Sequence, residues 1–358
     1  MKEENEFIRG RGAQINTANK FQSDKYEILD DFLNYCEAEG DSPDNNKTQH
    51  LEVFPKTIVN KVESPDVRMS FSMNAYQGCE HGCIYCYARN SHEFWGYSAG
   101  LDFERKILIK KNAPELLEQK LNSKSWQAAT IVMSGNTDCY QPAEKKYGIT
   151  RKCLEIFLRY KHPVGIITKN ALIIRDLDLL TELAKERLIG VSISITSLSE
   201  QTRQLVEPRT ATIKKRLETV RKLTDNGIPV NVMLAPIIPG INAHEVIPLA
   251  KAAADAGALS IGHTVVRLNG AIGDIFTDWA HKAMPDRANK ILNQIKECHG
   301  GTLNESRWQT RMKGEGEFAK QISSQIALAR RKFFSGREFP ELDTTLFRKF
   351  KNGQFELF

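Results

Sequence analysis

The string Cys79-Glu80-His81-Gly82-Cys83-Ile84-Tyr85-Cys86 puts three of the chain's seven cysteines within one short loop, at the spacing C-x3-C-x2-C. Three thiolates this close cannot all pair in disulfides, and their loop is short enough to wrap one metal centre. Thiolate ligands select iron–sulfur clusters or zinc. A four-iron cube held by three cysteines leaves one iron without a protein ligand. An open metal position marks a catalytic rather than a closed structural site. Zinc is the alternative, with His81 or His92 as fourth ligand. Zinc sites usually split their ligands into two pairs across a longer loop, and no second C-x2-C follows here.

The rest of the composition bounds the class. At 358 residues, with 41% hydrophobic and 26% charged residues, the chain suits one large soluble domain with extensions, or two domains. Met1-Lys2-Glu3-Glu4 opens without an apolar leader. The most apolar stretch, Val230 to Ile241, carries Asn231 and two prolines and is too short to span a bilayer. A cytoplasmic monomer without membrane association is therefore expected. Cys36, Cys139, Cys153 and Cys298 are scattered, as reduced thiols would be.

Residues 1–67 read as a polar extension, with a short helix around Tyr26–Ala38 that packs Cys36. From Ser70 the pattern alternates strands with helices. Strands are expected at Ser70–Tyr76, Ala128–Ser134, Val164–Thr168, Ile189–Thr196, Val230–Leu234 and Leu259–Arg267. Helices follow from Thr150, Ile173, Ile213, His244, Asp274 and Asp286, and Asn226-Gly227 and Ala256-Gly257 read as helix stops. Six βα units argue for a parallel α/β barrel or open sheet, whose sites lie at the carboxyl ends of the strands. The domain reading is an extension over 1–67, a core over 68–300, and a basic, aromatic helical extension over 301–358.

The cysteine spacing, with Tyr85 directly before the third cysteine, resembles the signature of the radical SAM superfamily, and the resemblance extends over about residues 70–268. It implies an α/β fold, a six-stranded partial (β/α)6 TIM-like barrel. It also implies a [4Fe–4S] cluster on Cys79, Cys83 and Cys86, whose free iron chelates S-adenosylmethionine. One electron then cleaves the sulfonium and yields a 5′-deoxyadenosyl radical. A reducing donor of flavodoxin or ferredoxin type is implied with it. The turn Ser134-Gly135-Asn136-Thr137-Asp138-Cys139-Tyr140-Gln141-Pro142 looks like the branch related to spore photoproduct lyase. There Ser134, Asn136, Thr137 or Asp138 would offer acceptors to the cofactor's ammonium, unless the run is simply an Asx-turn closing the strand. Cys139 follows Asp138 and does not match that lyase's cysteine arrangement, so a packed thiol is expected.

Further cofactor contacts are expected at later strand ends. Lys169 would anchor the carboxylate as a point charge. Ser194 and Thr196 would meet ribose hydroxyls or the carboxylate. Arg209 would fork onto a carboxylate or phosphate, or pair with Glu207. Tyr85 and the Pro236–Gly240 loop with Ile238 would flank adenine. His263 and Arg267 close strand six, their direction unread. Four more stretches look like a little-characterised subfamily grouped with the lyase: Arg9-Gly10-Arg11-Gly12-Ala13, Ser64-Pro65-Asp66, Ile174-Arg175-Asp176-Leu177-Asp178 and Arg311-Met312-Lys313-Gly314-Glu315-Gly316.

The function implied is hydrogen abstraction from a substrate, with nucleic acid as a partner. Net charge is +6, and Leu303 onward holds eleven Lys/Arg against seven Asp/Glu. Arg330-Arg331-Lys332-Phe333-Phe334 and Phe347-Arg348-Lys349-Phe350-Lys351 would then stack on bases, or else form an amphipathic element closing the barrel's open edge. Radical modification of a protein or peptide, and a non-enzymatic metal module that contacts nucleic acid, are the competing functions.

Overall fold

The computed structural model describes residues 7–22, 47–67, 69–351 and 354–355. The helix expected around Tyr26–Ala38, with Cys36, lies outside these. Ten strands build two sheets: β1 Gln49–Val53, β2 Val59–Lys61, β3 Phe71–Met73, β4 Tyr76–Gln77, β5 Lys106–Lys110, β6 Ile131–Met133, β7 Val164–Thr168, β8 Ile189–Ser194, β9 Val230–Ile237 and β10 Ser260–Val265. The larger sheet runs β10-β9-β8-β7-β6-β3-β2. Its first six strands are parallel and only the edge pair β2–β3 is antiparallel. All six strands expected from the sequence are present and in sequential order. The small sheet β1-β5-β4 was not anticipated; β4 runs directly into the cysteine loop.

Parallel strands covered by helices bury both faces. In β8 the alternation is plain: Ile189, Val191 and Ile193 are buried in the main core, while Ser192 accepts a 3.2 Å bond from Asn231 and Ser194 reaches the cavity described below. Helices Ile149–Arg159, Leu177–Lys185, Ile213–Asp225 and Val246–Asp255 follow β6, β7, β8 and β9. Thr212 caps the third of these by accepting from the Lys215 amide, and Gly227 and Gly257 stop the last two with φ of +74° and +97°.

The carboxy-terminal segment corrects the base-stacking reading. Helix Gly316–Phe333 buries Ala319, Ile322, Ile326 and Ala329 against helix Val246–Asp255 and the β10 edge. The chain then passes beneath the amino ends of the strands. Arg337 donates to the Ala254 and Ala258 carbonyls at 3.0 and 2.6 Å, and Asp343 N donates to Arg187 O at 2.9 Å. A Cβ at Gly190 would lie 3.1 Å from the Phe339 ring, Phe334 is buried, and Phe347 stacks edge-on against His162. These rings are packing groups at the end of the sheet opposite the cysteines.

Candidate active site

The cysteine loop is set by buried neighbours from three parts of the chain. Cys79 N donates to Phe103 O at 2.8 Å and Ile84 N to Val206 O at 3.0 Å. Arg89, fully buried, sends its guanidinium to the Cys83 carbonyl at 3.1 and 3.0 Å, to Gly100 O at 2.9 Å and to Glu104 at 2.5 Å. Glu104 in turn accepts from the Gly12 and Ala13 amides at 3.1 and 2.8 Å. A Cβ at Gly12 would stand 1.8 Å from Gly82 O, so only glycine permits this approach. The arginine–glycine motif at 9–13 therefore backs the cysteine loop, a role its sequence did not disclose.

Cys79, Cys83 and Cys86 line one cavity of about 460 Å³ at the carboxyl ends of the parallel strands. Burial raises all three thiols: Cys79 well above its usual value, Cys83 to about 12, and Cys86 upward. Three adjacent thiolates in this setting need a cationic centre to remain ionised. That donor set fits an iron–sulfur cluster. The zinc reading loses its fourth ligand: His81 has Nδ1 3.3 Å from Asp138 Oδ2 and Nε2 3.2 Å from Asn170, and His92 is not among the residues that line this cavity.

Of the residues expected to meet the cofactor, Tyr85, Ser134, Asn136, Asp138, Lys169, Ser194 and Pro236 line this cavity. Lys169 follows β7, and among the described residues its ammonium makes no hydrogen bond or ion pair. Burial pulls its pKa down, but Cys83 and Glu207 outweigh that and raise it. Its Nζ lies 5.9 Å from the Tyr85 ring centroid. Asp138 is committed elsewhere: Oδ1 accepts from Thr168 Oγ1 and Tyr140 N, both at 2.8 Å, and Oδ2 from Lys169 N at 2.8 Å. The Tyr140 contact is an Asx-turn, so Asp138 shapes the site and positions Lys169. Ser134 sits at φ +72° and accepts from Cys139 N at 2.8 Å. Thr137 donates to Tyr76 O at 2.6 Å. Asn136 spends its amide nitrogen on Ser91 and Gln77, at 2.8 and 3.3 Å, which leaves its oxygen for the cavity.

Two expectations need correction. Arg209 lies in a second cavity with Arg9, Arg11, Lys47 and His50, and pairs with Glu80 at 3.8 Å rather than with Glu207. Ile238 is fully buried in an apolar cluster with Ile241, Val266 and Ile291, and Ala235 and Pro236 take the cavity wall instead. Cys139, Cys153 and Cys298 are core residues as anticipated. Of the pair closing strand six, Arg267 lines the cavity.

Sequence reading missed the hub under Tyr85. Glu207 accepts from Arg216 at 2.6 Å, from Thr196 Oγ1 at 2.6 Å and from the Tyr85 hydroxyl. Burial pushes the Glu207 pKa up, but Arg216 and Lys169 bring it down to about 2. The hub pins Tyr85 against the cavity and holds a charge beneath Lys169.

The sequence matches the family model described as "Radical SAM superfamily" over residues 73–253. This chain belongs to the radical SAM superfamily. It is a radical SAM enzyme, and its cofactors are a [4Fe–4S] cluster and S-adenosylmethionine. Enzymes of this kind need an electron donor. An uncharacterized protein of Mycobacterium tuberculosis is 30% identical over 242 residues, covering 67% of this chain and 71% of its own length. Another, from Methanocaldococcus jannaschii, is 28% identical over 198 residues, covering 55% of this chain and 71% of its own length. A protein of Pseudomonas phage M6 named "Radical SAM Nalpha-GlyT isomerase" is 25% identical over 168 residues, covering 47% of this chain and 33% of its own. Among solved structures, a spore photoproduct lyase mutant with bound AdoMet and dinucleoside spore photoproduct shares the fold, with TM-score 0.60, 16% identity and 82% of each chain covered. Among the described residues no helix is long and apolar enough to cross a membrane.

Proposed function

We propose that this enzyme abstracts hydrogen from a nucleic-acid substrate held in the cavity beside the cysteine loop. Cys79, Cys83 and Cys86 would hold the cluster, leaving one iron for the cofactor. When bound, the cluster and S-adenosylmethionine supply the reductive cleavage that yields a 5′-deoxyadenosyl radical. Lys169 would take the cofactor carboxylate as a point charge. Asn136 would offer its amide oxygen to the amino group, Ser194 would meet the ribose, and Tyr85 with Pro236 would flank the adenine. The six parallel strands are read as a partial barrel with this cavity as its mouth, and the electron comes from a donor of flavodoxin or ferredoxin type.

One observation carries the reading: three thiols, the ammonium of Lys169, unpaired among the described residues, and the turn at 134–138 line a single cavity at the strands' carboxyl ends. The nucleic-acid part is supported by the lyase-like fold. The test is anaerobic reconstitution with dithionite and S-adenosylmethionine, then recovery of 5′-deoxyadenosine in the presence of deuterated oligonucleotides or deuterated peptides. Deuterium carried into 5′-deoxyadenosine from the oligonucleotide alone is expected. Transfer from peptide alone would reassign the substrate, and absence of 5′-deoxyadenosine would remove the cofactor assignment.

A further inference from the structure

The cavity also carries two arginines with different fates. Arg311 is paired within the protein. Its Nε donates to Asp66 Oδ2 at 2.5 Å, its Nη2 to Ser64 Oγ at 2.7 Å, and its guanidinium carbon lies 3.8 Å over the Trp308 ring. Arg267 makes no hydrogen bond and no ion pair among the described residues, although it lines the same cavity. Its backbone is fixed on both sides: Val266 N donates to Ile237 O and Leu268 N to Leu303 O, both at 2.9 Å. Burial, then Arg311, lowers its pKa, and Asp66 only partly offsets them. Its guanidinium nitrogens reach solvent rather than being sealed in the protein, so its donors are open to an anion in the cavity.

We infer that Arg267 is the binding site for a phosphate of the substrate. The claim rests on the reading of this cavity as the place where cofactor and nucleic acid meet. Lys169, which also lines the cavity, is assigned to the cofactor's carboxylate, so Arg267 is not needed there. The planar fork of arginine matches a phosphate with two parallel hydrogen bonds. The surroundings choose a nucleotide over a peptide carboxylate. Tyr87, on the cavity, and Trp308, against Arg311, are each about half exposed, at 52%. Exposed rings beside a guanidinium form a stacking platform for bases. Val62, Val67, Met69 and Met312 add an apolar wall that would accept a flat ring.

The test uses the anaerobically reconstituted holoenzyme with S-adenosylmethionine. Binding is measured for octathymidylate, for its uncharged methylphosphonate counterpart, and for a hexapeptide as free acid and as amide. Arg267→Gln should weaken octathymidylate binding by about ten- to a hundredfold, the loss of one charged hydrogen-bonded contact. It should also reduce the salt dependence by about one unit of slope. Arg267→Lys should recover part of the affinity, and methylphosphonate binding should be indifferent to either change. Arg331→Glu, on the exposed end of helix Gly316–Phe333, should leave binding as in the wild type. Iron and sulfide content is followed for each variant, and if Arg267→Gln loses the cluster the lysine variant carries the comparison. Wild-type affinity and salt slope in Arg267→Gln would overturn the inference and leave the nucleic-acid reading standing. A wild-type enzyme that binds no octathymidylate would overturn both. Arg267-dependent binding of the peptide acid but not the amide would move the site to a carboxylate and overturn the phosphate assignment.

Discussion

Glu207→Gln removes the charge that holds the floor of the site, and its cost can be worked from the structure. Glu207 and Arg216 are each about 1% exposed, so solvent screens the pair little. The Glu207 pKa falls from 4.5 to about 2, because Arg216 and Lys169 outweigh the opposing effect of burial. At 1.36 kcal/mol per pKa unit, that depression corresponds to roughly 3 kcal/mol of stability at neutral pH. Breaking one side of a buried ion pair costs about 3–5 kcal/mol by an independent route, since Arg216 is left buried with an uncompensated charge. Arg216 keeps its bonds to Ser194 O and Ala211 O, both at 2.9 Å, which favours the lower end. The sign follows from the depressed pKa: the stability is present above about pH 4.5 and is lost as pH falls toward about 2. Urea unfolding, followed by circular dichroism on cluster-free protein, reads both effects. The variant should unfold at lower urea at pH 7, and its midpoint should fall less between pH 5 and pH 3 than that of the wild type. Equal midpoints at pH 7, or equal acid loss, would refute the assignment of Glu207 as a buried counter-ion.

Three further outcomes are expected. Alanine at Cys79, Cys83 or Cys86 should abolish formation of 5′-deoxyadenosine, whereas Cys139→Ala should retain full iron and sulfide content; loss of iron in the latter would mean a fourth protein ligand. Lys169→Ala should keep iron and sulfide but weaken S-adenosylmethionine binding by roughly 1.5–3 kcal/mol, measured by equilibrium dialysis, and unchanged affinity would remove Lys169 from the cofactor site. Truncation after Phe333 should lower the melting temperature, because it strips Phe334, Phe339 and Phe347 from the underside of the sheet; an unchanged melting temperature would return the tail to the role of a free surface.

Local signals were legible and long-range ones were not. The cysteine triad is contiguous, so its chemistry could be read from spacing alone. The parallel strands are apolar runs bounded by helix stops, and they were found within a few residues. Strands β1 and β2, with sequences QHLEV and VNK, carry no such run, and their pairing partners are distant in sequence or across a turn. Ile238 was expected beside adenine as part of a loop following Leu234, whereas β9 continues to Ile237 and the turn begins only there. There the Ile238 amide bonds Asn242 Oδ1 at 2.6 Å, and its side chain joins the helix behind. Arg209 and Glu207 are two residues apart, yet a tight turn sends one to Glu80 and the other beneath Tyr85. Nothing in the order of residues distinguishes these two fates.

The four motifs without a sequence-level role now fall into one pattern. Residues 9–13 meet Glu104 behind the cysteine loop. Arg175 and Asp176 join Arg151, Glu144 and Tyr140 under the turn that carries Asn136 and Asp138. Asp66 and Arg311 meet each other, and this contact has the largest consequence. The sheet is open, with β10 at one edge and β2 at the other. Asp66 belongs to the connection between β2 and β3, while Met312, next to Arg311, accepts from Val265 N at the end of β10 at 2.9 Å. The ion pair therefore joins the two open edges across the mouth of the cavity, and Asp66 also accepts from Gln309 N at 2.7 Å. By neutralising Arg311 within the protein, Asp66 leaves Arg267 as the one cavity arginine, among the described residues, still lacking a counter-ion. Two of the four motifs thus support the cysteine loop and the turn at 134–138, and the other two meet beside Arg267 at the cavity.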